Sequence, residues 1–127
     1  ALEQHECLFY PRGGRSTPTW NLVRSGASER QRSRSVEVRV GGPFAADNSG
    51  ALRDAAAAGL GIALLPDFSA QSALRSGDLV RVLPDWAPVD SFGDHLYAVR
   101  PYAAIVPRAV AAFVEFLKGE YASGFSA

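Results

Sequence analysis

Asp47-Asn48-Ser49-Gly50-Ala51-Leu52-Arg53-Asp54-Ala55-Ala56-Ala57-Ala58-Gly59-Leu60-Gly61-Ile62-Ala63-Leu64-Leu65-Pro66 encodes a helix start, a helix, a stop and a buried strand in succession. Asn48 and Ser49 carry side-chain oxygens that accept hydrogen bonds from the free amides of a first turn. The Ala-rich run that follows propagates the helix, and Gly59 supplies the left-handed conformation that ends it. The run 62–65 is apolar on both faces, which suits a strand of a parallel sheet covered by helices, and Pro66 ends its ladder. The open amides at the helix entrance suit a polar or anionic ligand.

The same order of helix, glycine, strand and proline recurs downstream. Residues 68–76 read as a short helix with Gly77 as its stop, 79–83 as a strand, and Pro84-Asp85-Trp86 as its end. Upstream, Cys7-Leu8-Phe9-Tyr10 reads as a strand closed by Pro11 and a glycine-rich loop, Arg12-Gly13-Gly14-Arg15. Trp20-Asn21-Leu22-Val23 and Val36-Glu37-Val38-Arg39-Val40 are strand-like and joined by a polar connection, a pattern that suits a hairpin. Residues 87–94 read as a loop and 95–99 as a last strand. A closing helix starts at Pro107, with Val106, Val110, Phe113, Val114, Leu117 and Tyr121 at three- and four-residue spacings. Alternating helices and strands predict an α/β fold with an open, mainly parallel sheet flanked by helices, and Ser123 to Ala127 are expected to fray.

Composition narrows the function. The 127 residues, 47% of them hydrophobic, suffice for one core. Thirteen basic and thirteen acidic residues balance to a net charge of zero, so no overall field draws the chain to nucleic acid or to an anionic membrane. Twelve of the basic residues are Arg, which carries no functional implication on its own. The single cysteine, Cys7, excludes an internal disulfide and fits a cytoplasmic setting. No apolar run approaches the roughly 20 residues of a membrane span, and the first residues lack a signal-peptide pattern. The chain has no methionine, and a fragment or processed piece is therefore expected.

Motifs for chemistry are sparse. Gly59-Leu60-Gly61 closes a helix and opens a strand, the reverse of the dinucleotide-binding order. Arg24, Arg30, Arg32 and Arg34 lie in a Ser-rich connection and read as a solvated hairpin tip. His5, His95 and Cys7 have no partners at ligand or catalytic spacing, and Asp94 and His95, adjacent on a strand, point to opposite faces. Asp67, Asp78, Asp85, Asp90 and Asp94 read as turn residues, and Trp20 and Trp86 as core or interface aromatics. No enzyme activity, metal or cofactor is expected. Sheet geometry offers more. If the strands at 7–10, 36–40 and 62–65 run parallel, the loops 11–16, 41–49 and 66–68 converge at their carboxyl ends, where open α/β sheets bind ligands. Asn48, Ser49, Phe44 and Arg12 or Arg15 would then form a half-pocket for a small polar or carboxylated ligand.

Cys7-Leu8, Trp20, Asn48-Ser49-Gly50-Ala51-Leu52-Arg53-Asp54-Ala55-Ala56, Gly59-Leu60-Gly61-Ile62-Ala63-Leu64-Leu65-Pro66, Leu79-Val80, Leu83-Pro84-Asp85-Trp86, Tyr97-Ala98-Val99 and the helix from Pro107 follow one another in an order and spacing that resemble the effector-binding domain of LysR-type transcriptional regulators. The resemblance implies a periplasmic-binding-protein-like (type 2) α/β subdomain, with a small-molecule effector held in a cleft between two subdomains. Residues 1–105 would be the second subdomain, and 106–127 a closing helix that packs on a first subdomain absent from the chain. It further implies DNA contact only through a helix-turn-helix domain outside this sequence, a homo-oligomer and no membrane partner. Carried over residue by residue, the ligand wall comprises Phe44, Ala45, Ala46, Asn48, Ser49 and Gly50, with Arg12 and Pro66. The competing expectation is the solute-binding half of a periplasmic-type transport protein.

Overall fold

Helix formation around residue 50 follows the sequence closely. The computed structural model describes residues 2–11, 17–28, 30, 34–89, 91–93, 97–102 and 104–124. Within it, helix α1 (Ser49–Ala57) is capped by Asn48, whose extended backbone lets Oδ1 accept from the Ala51 amide at 3.1 Å. At the other end Gly59 adopts φ +83°, and the amides of Gly59 and Leu60 donate back to the carbonyls of Ala56 and Ala55. Those bonds close the helix in a Schellman turn. The chain then enters strand β4.

Strand β4 (Ile62–Ala63) pairs in parallel with β1 (Cys7–Leu8), in the register Cys7 with Ile62 and Leu8 with Ala63. On the opposite side of β1, Phe9 forms a parallel bridge with Ala45. There the Phe9 amide donates to the Phe44 carbonyl at 3.4 Å, and the Ala46 amide donates to the Phe9 carbonyl at 3.2 Å. The segment 44–46, α1 and β4 thus form a strand–helix–strand crossover passing over β1, and α1 packs on both β1 and β4. Leu8 and Leu52 are fully buried in this part of the structure. A second helix, α2 (Asp67–Ser76), packs on α1 and stops at Gly77, φ +82°.

A second sheet has the order β3-β2-β5 and is antiparallel throughout, with β2 spanning Thr19–Arg24, β3 Val36–Arg39 and β5 Trp86–Val89. Leu2, Cys7, Trp20, Leu22 and Val40 form the buried cluster between the sheets, with Phe9, Val38, Ile62, Leu64 and Trp86 packed against it. Across the strands Arg24 stacks over the Trp86 ring at 5.0 Å, a cation–π contact that screens the indole from water.

Four expectations are corrected here. The strand at 36–40 forms the expected hairpin with β2 and does not join the parallel strands. Its alternation of Val with charge marks a strand with one wet face, the signature of an antiparallel sheet rather than a doubly covered one. The stretch 79–83 forms no strand, because Leu83 takes the left-handed conformation (φ +53°) and turns the chain back, with the Trp86 amide donating to its carbonyl at 2.9 Å. Residues 87–89, expected as loop, belong to β5 instead; Pro88 fits there because, among the described residues, β5 is an edge strand with one row of its backbone groups unpaired. Tyr97, Ala98 and Val99 form no strand. The loop Arg12-Gly13-Gly14-Arg15, together with Arg32, Asp90, Asp94, His95 and residues 125–127 of the expected fraying end, lies outside the described residues.

The chain divides into two compact units, Ala1–Phe92 and Gly93–Ser126. In the second, helix α3 (Arg108–Glu120) follows Pro107, which occupies the N-cap rather than the first helical position. No residue of α3 is buried: Phe113 and Phe116 are about 60% exposed, and Val114 and Leu117 are half-buried. Lys118 pairs with Glu115 at 2.7 Å on the exposed surface, a contact of little weight.

Backbone approaches backbone on both sides of β1. A Cβ on Gly42 would meet the main chain of Cys7, and one on Gly61, at φ +155°, would meet the carbonyl of Glu6. Replacing Gly61 with Ala is expected to cost about 2–4 kcal/mol, read as a lower urea midpoint at unchanged slope. Gly119→Ala, at an open position in α3, should instead raise stability by up to about 1 kcal/mol. Burial raises the Cys7 thiol pKa, as does the nearby Glu6 charge, against a lowering hydrogen bond from the Gly41 backbone. The thiol therefore stays protonated at neutral pH. Labelling by a thiol reagent should be slow in the native protein and should accelerate only through the unfolding transition.

Candidate functional site

Because β1, β4 and the bridge at Ala45 all run in the same direction, their carboxyl ends leave the sheet at one edge. Three segments meet there: Phe9 to Pro11, the 44–50 loop with the entrance of α1, and Leu64 to Pro66 with the entrance of α2. The third strand of this edge is therefore 44–46, where the sequence had suggested 36–40.

The expected ligand wall maps onto this edge almost completely. Phe44 and Ala46 are half-buried and tied to Phe9 by main-chain hydrogen bonds, and Ala45 is exposed between them. Asn48 is exposed, with Oδ1 committed to the helix cap and its carbonyl accepting from the Leu52 amide at 3.2 Å. Ser49 and Gly50 are half-buried, and as the first two helical residues they present amides that the helix itself cannot bond. A Cβ on Gly50 would stand 3.0 Å from Asn48 Oδ1, so glycine keeps the cap unobstructed. Pro66 is half-buried at the N-cap of α2, its carbonyl accepting from the amides of Ser69 and Ala70. Arg12 lies outside the described residues.

The two helix entrances differ electrostatically. Helix α2 carries its own carboxylate, Asp67, in the first turn, whereas the first turn of α1 has no acidic residue. Asp54 comes later on α1 and is bound by Arg53, whose Nε and Nη2 donate to Oδ1 at 2.9 and 2.8 Å. The first turn of α1 thus lacks the carboxylate that α2 carries, with Asp47 lying just before its cap. Among the described residues no group of three His, Cys, Asp or Glu side chains could hold a metal ion. Cys7 is buried, and burial raises its thiol pKa, which disfavours the thiolate form.

The structure adds a feature that the sequence did not reveal. A pocket of about 350 Å³ opens beside the carboxyl ends of β1 and β4, lined by Phe9, Tyr10, Trp20, Leu64, Ser91 and Phe92. The Tyr10 and Phe92 rings meet edge to face, 5.7 Å between centroids and at 78°. Phe9 and Tyr10 at the end of a strand were a signal that could have pointed to it. Phe92 gave none, since it sits in a Ser-, Gly- and Asp-bearing stretch that reads as solvated loop.

Comparison with known proteins places this architecture. The family model described as LysR substrate binding domain matches residues 1–122. The probable HTH-type transcriptional regulator LtrA of Klebsiella pneumoniae is 30% identical over 120 residues, covering 91% of this chain and 39% of that protein. The HTH-type transcriptional regulator PtxR of Pseudomonas aeruginosa is 36% identical over 104 residues, covering 81% and 30%. Among solved structures, full-length AphB, a Vibrio cholerae virulence activator of the LTTR family, aligns with a TM-score of 0.52 at 33% identity, over 68% of this chain and 27% of that one. The regulatory domain of AphB from Vibrio vulnificus aligns with a TM-score of 0.51 at 33% identity, over 67% and 38%. The chain thus spans well under half the length of these relatives, which are transcriptional regulators rather than enzymes. Matched by the family along nearly its whole length and sharing the α/β architecture of the AphB regulatory domain, the chain belongs to the LysR substrate-binding domain family.

Proposed function

We propose that this chain is the effector-sensing part of a LysR-type transcriptional regulator. It provides one wall of a ligand cleft, and occupancy of that cleft alters how the whole protein binds DNA. One observation carries the reading: three parallel segments deliver Phe44, Ala45, Ala46, Asn48, Ser49, Gly50 and Pro66 to a single sheet edge, beside a helix entrance with no acidic first turn. A small polar or carboxylated ligand suits that edge, its negative end on the amides of Ser49 and Gly50 and an apolar part against Phe44. Arg12 would add charge from the loop after β1. No cofactor or metal enters this scheme.

The proposal divides the chain at residue 105. Residues 1–105 form the wall, and 106–127 supply a helix that packs on a subdomain outside this sequence. The exposure of Phe113 and Phe116 supports that assignment, since an apolar helix face of this kind calls for a cover. DNA contact belongs to a helix-turn-helix region elsewhere in the protein, as the names of the relatives suggest, and the regulator works as a homo-oligomer in the cytoplasm. Similarity to HTH-type regulators favours this reading over the solute-binding half of a transport protein.

The test uses the full-length protein. A metabolite set screened by thermal shift should yield a ligand that raises the melting temperature and changes the affinity for promoter DNA. Asn48→Ala and Ser49→Ala should each weaken that response roughly tenfold, about 1.4 kcal/mol of binding. Loss of the cap in Asn48→Ala costs only about 1 kcal/mol of stability, so the fold survives. A response unchanged in both variants removes the Asn48 and Ser49 side chains from the site. A full-length chain without a helix-turn-helix overturns the regulator reading itself.

A further inference from the structure

The pocket beside β1 is separate from the expected wall residues, for none of Phe44 to Gly50 lines it, yet it is built on the same strand ends. Phe9 belongs to both: it lines the pocket, while its amide and carbonyl hold the 44–46 segment that leads into α1. We infer that this pocket receives a ring-sized apolar body of the ligand, so that the molecule sensed is a small carboxylic acid bearing an aromatic or alicyclic ring rather than a straight-chain acid or a sugar phosphate. The inference rests on the ligand-sensing reading above and names the chemical class for it.

Three observations carry it. The volume, about 350 Å³, lies at the lower end of small-molecule sites and is large for a packing defect, since voids in protein interiors rarely exceed a water molecule. The lining is aromatic on several sides, with Phe9, Tyr10, Trp20 and Phe92, and Leu64 adds an aliphatic wall. Flat, rigid side chains of this kind recognise rings through edge-to-face and offset contacts, the arrangement Tyr10 and Phe92 already adopt with each other. Among the described residues no charged side chain lines the space. A carboxylate buried against that described lining would lose its hydration without a counter-charge, so the ionised end points out of the pocket mouth.

The polar groups refine the class. The Ser91 hydroxyl donates to the Val89 carbonyl at 3.3 Å, so towards the pocket it can only accept. Thr19 supplies another hydroxyl. The pocket can therefore take one hydroxyl or amine substituent on the ring, whereas a polyol would leave most of its groups unpaired against aromatic faces.

The experiment titrates the isotopically labelled chain with benzoate, cyclohexanecarboxylate and succinate at millimolar concentration, following resonances of Phe9, Leu64 and Phe92 together with those of Asn48 to Gly50. Both ring acids should shift the pocket resonances saturably, and succinate should leave them unmoved. Ser91→Leu, which fills the space, and Phe92→Ala, which removes one wall, should each lower ring-acid affinity at least tenfold while circular dichroism and melting stay those of a folded chain. Two variants guard against one failing to fold. Ring acids that leave the pocket resonances unmoved overturn the inference, as does succinate shifting them equally, or affinity unchanged in a folded variant. If the ring acids shift only Asn48 to Gly50, the inference falls and the sensing function stands. If they fill the pocket while the full-length protein lacks a helix-turn-helix, the regulator reading falls and the pocket assignment stands.

Discussion

Everything in the first unit depends on how closely the main chain approaches β1 from two sides. Glu6 accepts from the Ile62 amide at 2.8 Å on one side, and the Cys7 amide donates to the Gly41 carbonyl at 2.8 Å on the other. Both neighbours come near enough that only glycine fits, Gly61 against Glu6 and Gly42 against Cys7. The strands are very short, so few ladder bonds are available to fix their register. The two glycine contacts compensate, because a one-residue slip would drive a Cβ into a carbonyl and turn every side chain to the wrong face. With the register fixed, the three carboxyl ends emerge together, and the edge proposed for the ligand is a consequence of that alignment.

The same arrangement explains where the pocket lies. Cys7 and Leu8 are fully enclosed, one turned to the antiparallel sheet and the other to the opposite face, as alternation along a strand requires. At the amino end of the strands Leu2 and Val40 close the core tightly around Cys7. Beyond Leu8 and Ala63 the pairing of β1 with β4 stops, while the antiparallel sheet carries Trp20 paired with Val38. Two packed layers whose strands end at different points leave a gap between them, and here the gap is faced with rings. A packing mismatch at the end of a sheet thereby becomes a shaped opening beside the carboxyl ends of β1 and β4.

The legible and illegible parts of this fold differ in kind. Asn48, the Ala run and Gly59 act within a few residues of one another, and local hydrogen bonding alone determines their structure; α1 accordingly lies where the sequence places it. Most residues of the proposed ligand wall share one edge for the same reason, because they are attached to that helix. Strand β5 was illegible, since Pro88 argues against a strand and only the long-range position at a sheet edge overrides it. The run Leu79-Val80-Arg81-Val82-Leu83 erred in the opposite sense: its β propensity is high, but the edge of β2 that it might have occupied is taken by Trp86 to Val89. Ser25 reinforces that outcome, its amide donating to the Asp85 carbonyl and its hydroxyl to that of Pro84. The pocket was least legible of all, because it joins residues 9, 20, 64 and 92 and has no local signature.

Under the proposed reading, the stiffness of this wall bears on how binding becomes a signal. An edge built on glycine-locked strands and a capped helix has little freedom to rearrange when a ligand arrives. A ligand shifts a conformational equilibrium only through different affinity for the two states, and a wall that is the same in both cannot supply that difference alone. The difference must therefore arise in how this wall meets a second body. The Gly93–Ser126 unit carries exposed apolar residues on α3, Phe113 and Phe116, and such a helix face is suited to a packing contact rather than to solvent. The ligand would then bridge two rigid pieces, and the transmitted change would be their relative position, which a DNA-binding region joined to the far piece can follow.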